Sequence, residues 1–257
     1  MSWSEKLNAL KTIIIKEYLR FIRIWIQTVL PPAITTALYF IIFGNLIGSQ
    51  IDDIDGHKYM DYIVPGLILM AVITNSYGNV VSSFYSAKFQ KSIEELLVSP
   101  TPNYLILLGY VIGGISRGII VGVIVTLVAM YFSDFSIYSY SLSLLIFILT
   151  SALFSIAGLI NAIYANSFDD ISIIPTFILT PLTYLGGIFY SIEMLPEFWQ
   201  TVSLANPILY MVDSFRYGMI GSKDTDITVA IAIIIGFNVA LFSYAMYLLN
   251  RGVGIRQ

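Results

Sequence analysis

The chain has 257 residues, of which 57% are apolar and only 11% charged, against about 25% charged in a soluble domain. That balance excludes a water-soluble core and any second polar domain, and it specifies an all-α integral membrane protein with several spans. The absence of cysteine excludes a disulfide, a thiolate metal site and a cysteine nucleophile; the net charge of -3 is uninformative where the placement of charge matters more than its sum, and the composition gives no basis for binding nucleic acid.

Residues 3 to 25 read as an amphipathic helix. Trp3, Leu7, Leu10, Ile14, Tyr18, Phe21 and Trp25 share one arc, and Lys6, Lys16, Glu17, Arg20 and Arg23 point mostly away from it. This is the pattern of a helix lying in a membrane surface; a helix packed on the protein's own spans fits equally well. Charges continue to Arg23 with no small-residue cleavage site, so this stretch does not read as a signal peptide.

Six spans follow, at 24–47, 62–83, 104–132, 142–164, 171–190 and 228–249, each near the length of about 20 residues that a bilayer requires. The first contains Pro31 and Pro32. The fifth carries Pro175, Pro181 and the pair Gly186-Gly187, which weaken or kink a helix. Between the fifth and sixth, residues 191–221 form neither a span nor a polar loop. Leu195, Phe198, Trp199 and Val202 mark one short amphipathic helix with Pro196 at its start. Asn206 caps a second, opened by Pro207 and stopped by Gly221, with Ile208, Met211, Val212 and Phe215 on one face. Two such half-length helices read as a re-entrant or interfacial hairpin, or as a plain interfacial loop.

Lysine and arginine set the orientation. With the N-terminus inside, the inner segments hold nine (Lys6, Lys11, Lys16, Arg20, Arg23, Lys88, Lys91, Arg251, Arg256) and the outer ones three (Lys58, Arg216, Lys223). The bias places both termini in the cytoplasm.

Within the third span, Gly109 and Gly113, then Gly114, Gly118 and Gly122, are spaced by four, which lets another helix approach closely. Arg117 sits among them. A charge at that depth costs roughly 2.5 to 3.5 kcal/mol on insertion scales and requires a partner or water, with carbonyls freed by the prolines as one candidate. Asp169 and Asp170 precede the fifth span and read as helix caps. Its outward half offers Pro181, Tyr184, Gly186, Gly187, Phe189 and Tyr190 as an aromatic and backbone surface along a substrate path or as interfacial anchors. Arg216 either meets an anionic group there or pairs with Asp213.

The chain contains no G-x-x-x-x-G-K-[ST] loop to hold ATP, no H-E-x-x-H, and no cluster at metal-ligand spacing. A membrane-embedded enzyme using Asp52, Asp53, Asp55 and His57 is one alternative, and a channel or accessory membrane protein working without ATP is another. The longest inner loop is distinctive. Ser86 to Ser99 reads as a short helix with Phe89, Ile93, Leu96 and Leu97 on one face and Glu94-Glu95 beside it, stopped by Pro100 and Pro102.

The runs IEELLVSPTP, PLTYLGGIFYS, LPEFWQ and NPILYMVDSFRYG resemble the membrane subunits of ABC-2 type exporters, and the resemblance covers nearly the whole chain. It implies a multi-pass permease of the bacterial inner membrane, paired as a homodimer among membrane lipid. Two copies of a separate ATPase would bind ATP and Mg, with no cofactor in this chain. It also implies that the helix of the inner loop docks into a cleft of the ATPase, with Leu96 and Leu97 in an apolar slot and Glu94 and Glu95 facing basic groups. The cargo it implies is amphipathic: lipid-like, glycan or drug-like.

Overall fold

The structure, a computed structural model, describes residues 1–48, 50–51, 53–133 and 135–254. Asp52 of the enzyme alternative and Arg256 of the charge count lie outside the described residues.

Helix α1 (Trp3–Arg23) opens with a capping box, in which Ser2 accepts from the Glu5 amide and Glu5 accepts from the Ser2 amide. It ends at Ile24, whose backbone leaves helical geometry. Helix α2 (Trp25–Tyr39) then runs through Pro31 and Pro32 into a π-helical stretch, Phe40–Ile47. Helix α3 (Tyr59–Phe89) extends past the expected span by about two turns towards its C-terminus. A left-handed residue, Lys91 at φ 60°, reverses the chain into the short α4 (Ser92–Val98). Helices α5 (Asn103–Phe132) and α6 (Tyr140–Tyr164) agree closely with the third and fourth expected spans.

The fifth expected span forms only in part. It is α7 (Asp170–Ile174), a π turn at Pro175–Leu179 and α8 (Thr180–Tyr184), which together reach roughly 22 Å at 1.5 Å per residue. That is short of the hydrocarbon thickness of about 30 Å. Pro175 and Pro181 remove amide donors from this run, and residues 185 to 190 turn instead of continuing the helix. Neither aspartate caps as expected: Asp169 makes no side-chain cap bond, Ser167 Oγ accepts from the Asp170 amide, and the Asp170 carboxylate accepts from the preceding amides of Asn166 and Ser167.

Helices α9 (Glu197–Leu204) and α10 (Pro207–Ile220) appear where the pattern placed them, with Asn206 accepting from the Ile208 amide and Gly221 closing α10 at φ 82°. Helix α11 (Ile227–Arg251) is capped by Asp226, whose carboxyl the amides of Val229 and Thr228 hold below the usual carboxylate range. Among the described residues, five helices are long and apolar enough to cross a membrane: Trp25–Gly44, α3, α5, α6 and α11.

Helix α3 is the hub. It is buried along most of its length, with Tyr62, Ile63, Val64, Ile68, Ile73 and Val80 among its fully enclosed side chains, and it packs on both α5 and α6. Close approach is built from glycine. A Cβ at Gly158 of α6 would stand 2.6 Å from the Tyr77 carbonyl oxygen of α3, and one at Gly66 would stand 2.9 Å from the Ile188 backbone. Helices α2 and α11 lie at the periphery, with few of their span residues buried. At the α4 end, Lys88 Nζ donates to the Ile163 and Ala165 carbonyls at 2.7 Å each, closing the last turn of α6.

Candidate functional site

At the hairpin end, the expected path residues gather round one turn. Tyr184 stacks on Phe189 with ring centroids 6.0 Å apart, and Tyr190 Oη donates to the Tyr184 carbonyl at 2.8 Å. Tyr39, at the end of α2, and Phe43, in the π-helical stretch after it, complete the aromatic cluster at 5.8 and 4.9 Å from Phe189. Pro181 and Tyr184 are exposed and Phe189 and Tyr190 half-buried, whereas Gly186 and Gly187 are buried. Gly187 has a φ of 71°, and a Cβ on Gly186 would meet Ile208 at 2.8 Å. The turn therefore needs both glycines, one for its backbone sign and one for its contact with α10.

Arg216 corrects the sequence reading. It neither faces an outer path nor pairs with Asp213. It is 1% exposed, its guanidinium lies 3.9 Å from the Tyr62 ring centroid, Nε donates to the Tyr62 carbonyl at 3.3 Å and Nη2 donates to the Gly187 carbonyl. One buried cation thus fastens the Gly187 turn, α10 and α3 together through carbonyl dipoles and a ring face. Asp213, also buried, accepts instead from the Asp224 and Thr225 amides and the Thr225 hydroxyl, and so closes the loop before α11.

Between α2 and α3 lies a groove of about 320 Å3, lined by Gln27, Pro31, Pro32, Thr35, Thr36, Tyr39, Leu67, Met70, Ala71, Thr74 and Asn75. Tyr39 joins this groove to the aromatic cluster. Behind Asn75 stands Arg117, whose Nη2 donates to Asn75 Oδ1 at 3.1 Å. Its partner is therefore a side-chain amide of α3, not a carbonyl freed by proline.

The stripe of glycines on α5 packs helices within the subunit. A Cβ at Gly109 would meet Ile13 at 2.4 Å and one at Gly113 would meet Glu17 at 2.6 Å, both on α1. A Cβ at Gly118 would meet Ser76 Oγ at 2.2 Å. Helix α1 is thus seated on the spans, which is one of its two expected roles, while Trp3, Leu7 and Tyr18 of its apolar arc stay exposed. Glu17 is the second correction: it does not point away but is fully buried. Ser83 Oγ donates to its Oε1 at 2.7 Å, Lys16 Nζ and Arg20 Nε stand 3.7 and 3.5 Å from its oxygens, and Arg20 Nη2 donates to Asn79 Oδ1 and the Asn79 carbonyl. No periodicity argument found this residue, because Glu17 sits among the polar positions of α1 and the glycine that admits it lies ninety-six residues later.

Helix α4 is shorter than the segment expected. Phe89 ends α3 and packs against Tyr85 and Phe168, so it does not share a face with Ile93, Leu96 and Leu97. Ile93 is 1% exposed within the core, and Leu96 and Leu97 are half-buried against it. What α4 presents outward is Glu94, Glu95, Val98 and, beyond its end, Pro100.

Comparison with known proteins decides what this assembly of helices is. The model of the ABC-2 type transporter family matches residues 8–220. This chain belongs to that family. It is 54% identical over 249 residues to the inner membrane transport permease YadH of Escherichia coli K12, covering 97% of each chain. More distantly, it is 21% identical over 241 residues to nodulation protein J of Rhizobium leguminosarum bv. viciae, covering 92% of each, and 22% identical over 237 residues to that of Rhizobium meliloti, covering 92% of this chain and 90% of the relative.

The protein is therefore a membrane transporter subunit and not an enzyme. Of the residues offered for an enzymic alternative, Asp55 accepts from Ser222 at 2.9 Å, and the His57 backbone pairs with that of Ile54 in the loop before α3.

Proposed function

We propose that the permease is the membrane-spanning half of an exporter in the bacterial inner membrane, working as a homodimer with two copies of a separate ATPase that binds ATP and Mg. Both termini and α4 face the cytoplasm, and the α9–α10 hairpin faces out. The broken run α7–α8 enters the membrane as the fifth of six segments, which returns the chain to the side on which it began. Closure of the ATPases on ATP draws the two α4 helices together and opens a path between the subunits for an amphipathic cargo of lipid, glycan or drug-like character.

The observation that carries this reading is α4. It is a short helix seated on the core through Ile93, at the end of the molecule opposite the hairpin, with two carboxylates and the 87%-exposed Val98 free, in a chain with no nucleotide loop of its own. Pairing is supported by α2, where Leu30, Ile34 and Leu38 are exposed in a row at four-residue spacing. Copurification of the permease with its ATPase, followed by cargo-stimulated ATP hydrolysis in reconstituted membranes, tests the proposal. A permease that transports with no ATPase bound overturns it.

A further inference from the structure

A second cleft, of about 380 Å3, opens between the amphipathic helix α1 and the short helix α4. Its floor is apolar, made by Ile13, Ala87, Leu96 and the Tyr110 ring. Its rim carries one cation, Lys16 of α1, and one carboxylate, Glu95 of α4, with the hydroxyls of Thr12 and Ser92. Those hydroxyls are already turned. Thr12 Oγ1 donates to the Asn8 carbonyl at 2.8 Å and Ser92 Oγ to the Ala87 carbonyl at 3.2 Å, which leaves their lone pairs to accept. With the Glu95 carboxylate they make an acceptor-rich wall that calls for a donor of several N–H groups. Lys16 supplies the opposite sign. Its Nζ donates to Tyr110 Oη at 3.4 Å and stands 3.7 Å from Glu17 Oε1, yet its side chain is 54% exposed, so one of its three N–H donors remains for an anion. On the same helix Trp3, Leu7 and Tyr18 are exposed, the mark of a helix lying at the level of lipid headgroups.

We propose that this cleft holds the head of a lipid bearing a primary ammonium and a phosphate, of the chemical class of phosphatidylethanolamine, as a resident brace between α1 and α4 and not as cargo. The ammonium donates to Glu95, Ser92 Oγ and Thr12 Oγ1, and the phosphate meets Lys16. The glycerol lies on Ile13 and Leu96, and the chains enter the bilayer beside α1. A quaternary ammonium has no N–H to give this wall, and a glycerol head brings no cation to Glu95. The inference rests on the proposed orientation only for the leaflet, the cytoplasmic one; binding itself is measured on the permease alone.

The chain has no cysteine, so a single one can be placed without background. Ser99 lines the cleft, and its oxygen is already engaged by the Leu96 carbonyl and the Thr101 amide, which makes Ser99→Cys a reporter that spares the ligand's contacts. Val98→Cys, 87% exposed beside it, is the control. Both are alkylated with a maleimide in phosphatidylcholine nanodiscs of rising phosphatidylethanolamine content. Phosphatidylethanolamine is expected to slow alkylation of Ser99→Cys and leave Val98→Cys unchanged. Its N,N-dimethyl form should protect less, and phosphatidylglycerol should not protect. Adding Glu95→Gln to Ser99→Cys should raise the half-protecting content about tenfold, the worth of a charge-assisted hydrogen bond. No protection by phosphatidylethanolamine, equal protection by phosphatidylglycerol, or no effect of Glu95→Gln overturns the proposal. Protection by soluble glycerophosphoethanolamine equal to that by the intact lipid overturns it too, since the cleft then takes a free solute. So does protection that appears only when the ATPase is added, since basic groups of the partner then fill the cleft. The lipid arms contain no ATPase, so their outcome and that of the exporter reading are read separately.

Discussion

Ser83 of α3 donates a 2.7 Å hydrogen bond to the fully buried Glu17 of α1, and this bond fixes an amphipathic helix to the spans. Arg20 clamps Asn79 one turn further along the same seam, and Gly113 provides the space that Glu17 occupies. Glu17→Leu should lower stability by about 1 to 3 kcal/mol, because Ser83 loses its acceptor in a buried seam and Arg20 loses the carboxylate beside it. Glu17→Gln keeps the Ser83 bond and should lose less. Gly113→Val should separate α1 from α5 and behave like Glu17→Leu. Thermal unfolding in a fixed detergent ranks the three variants, and a Leu variant as stable as the parent means that the Glu17–Ser83 bond does not hold α1 to the spans.

Arg216 should be intolerant in a way that depends on shape as well as charge. Arg216→Leu strands the Tyr62 and Gly187 carbonyls and removes the cation from the Tyr62 ring, a loss of about 2 kcal/mol or more. Arg216→Lys keeps the charge but lacks the planar fork that spans the Tyr62 and Gly187 carbonyls while lying on the Tyr62 ring, so it should recover only part. Limited proteolysis across residues 191–206 measures whether the Gly187 turn is still tied to α3. Unchanged cleavage in both variants shows that the hairpin is held without Arg216.

Arg117 is a separate case. Its charge is anchored to Asn75 through one nitrogen at 3.1 Å, so Arg117→Leu and Asn75→Leu should be non-additive in stability, with a coupling of about 0.5 to 3 kcal/mol. Simple additivity in a double-mutant cycle means that the pair contributes nothing and Arg117 reaches past it to water.

The long helices were legible because a span is written locally, as a run of apolar residues of sufficient length; 104–132 and 142–164 differ from α5 and α6 by at most two residues. The hairpin was legible for the same reason, since Asn206, Pro207 and Gly221 are local stop and start signals. Partners of buried charges were not. Arg216 has Asp213 three residues before it, which fits helical pairing, yet its acceptors come from residues 62 and 187. Glu17 shows the same limit. The groove was missed because its two walls, α2 and α3, each read as an ordinary span, and only their juxtaposition turns Thr35 and Thr74 towards one space. The face assigned to Phe89, Ile93, Leu96 and Leu97 failed because the helical period was carried through Lys91, where the chain turns left-handed.

Orientation is open to a direct measurement. Cysteines at Glu193 and Lys223, both exposed at the hairpin end, should react with an impermeant thiol reagent added outside sealed cells, and one at Ser92 should react only after permeabilisation. Ser133 and Ser222 are poor reporters, being buried and bonded to Asp61 and Asp55. Labelling of Ser92→Cys from outside reverses the topology drawn from lysine and arginine.

The test of α4 must separate folding from partner contact, and burial makes the separation possible. Ile93 is enclosed by the permease itself and Leu96 and Leu97 are half-enclosed, so Ile93→Ala should destabilise the subunit by about 2 to 5 kcal/mol and says little about the ATPase. Leu97→Ala removes less buried surface and should show in both assays. Glu94 and Glu95 are exposed and make no ion pair among the described residues, so reversing both to lysine should leave unfolding temperature and dimer content unchanged. If basic groups of the ATPase face them, the same change should weaken copurification and cargo-stimulated hydrolysis by about tenfold, and raised salt should narrow the gap between variant and parent as exposed charges are screened. Val98→Asp, at an 87%-exposed position, probes the apolar part of the same contact, again with no expected effect on folding. Full assembly and full coupled hydrolysis in both the double lysine variant and Val98→Asp place the ATPase contact elsewhere than α4.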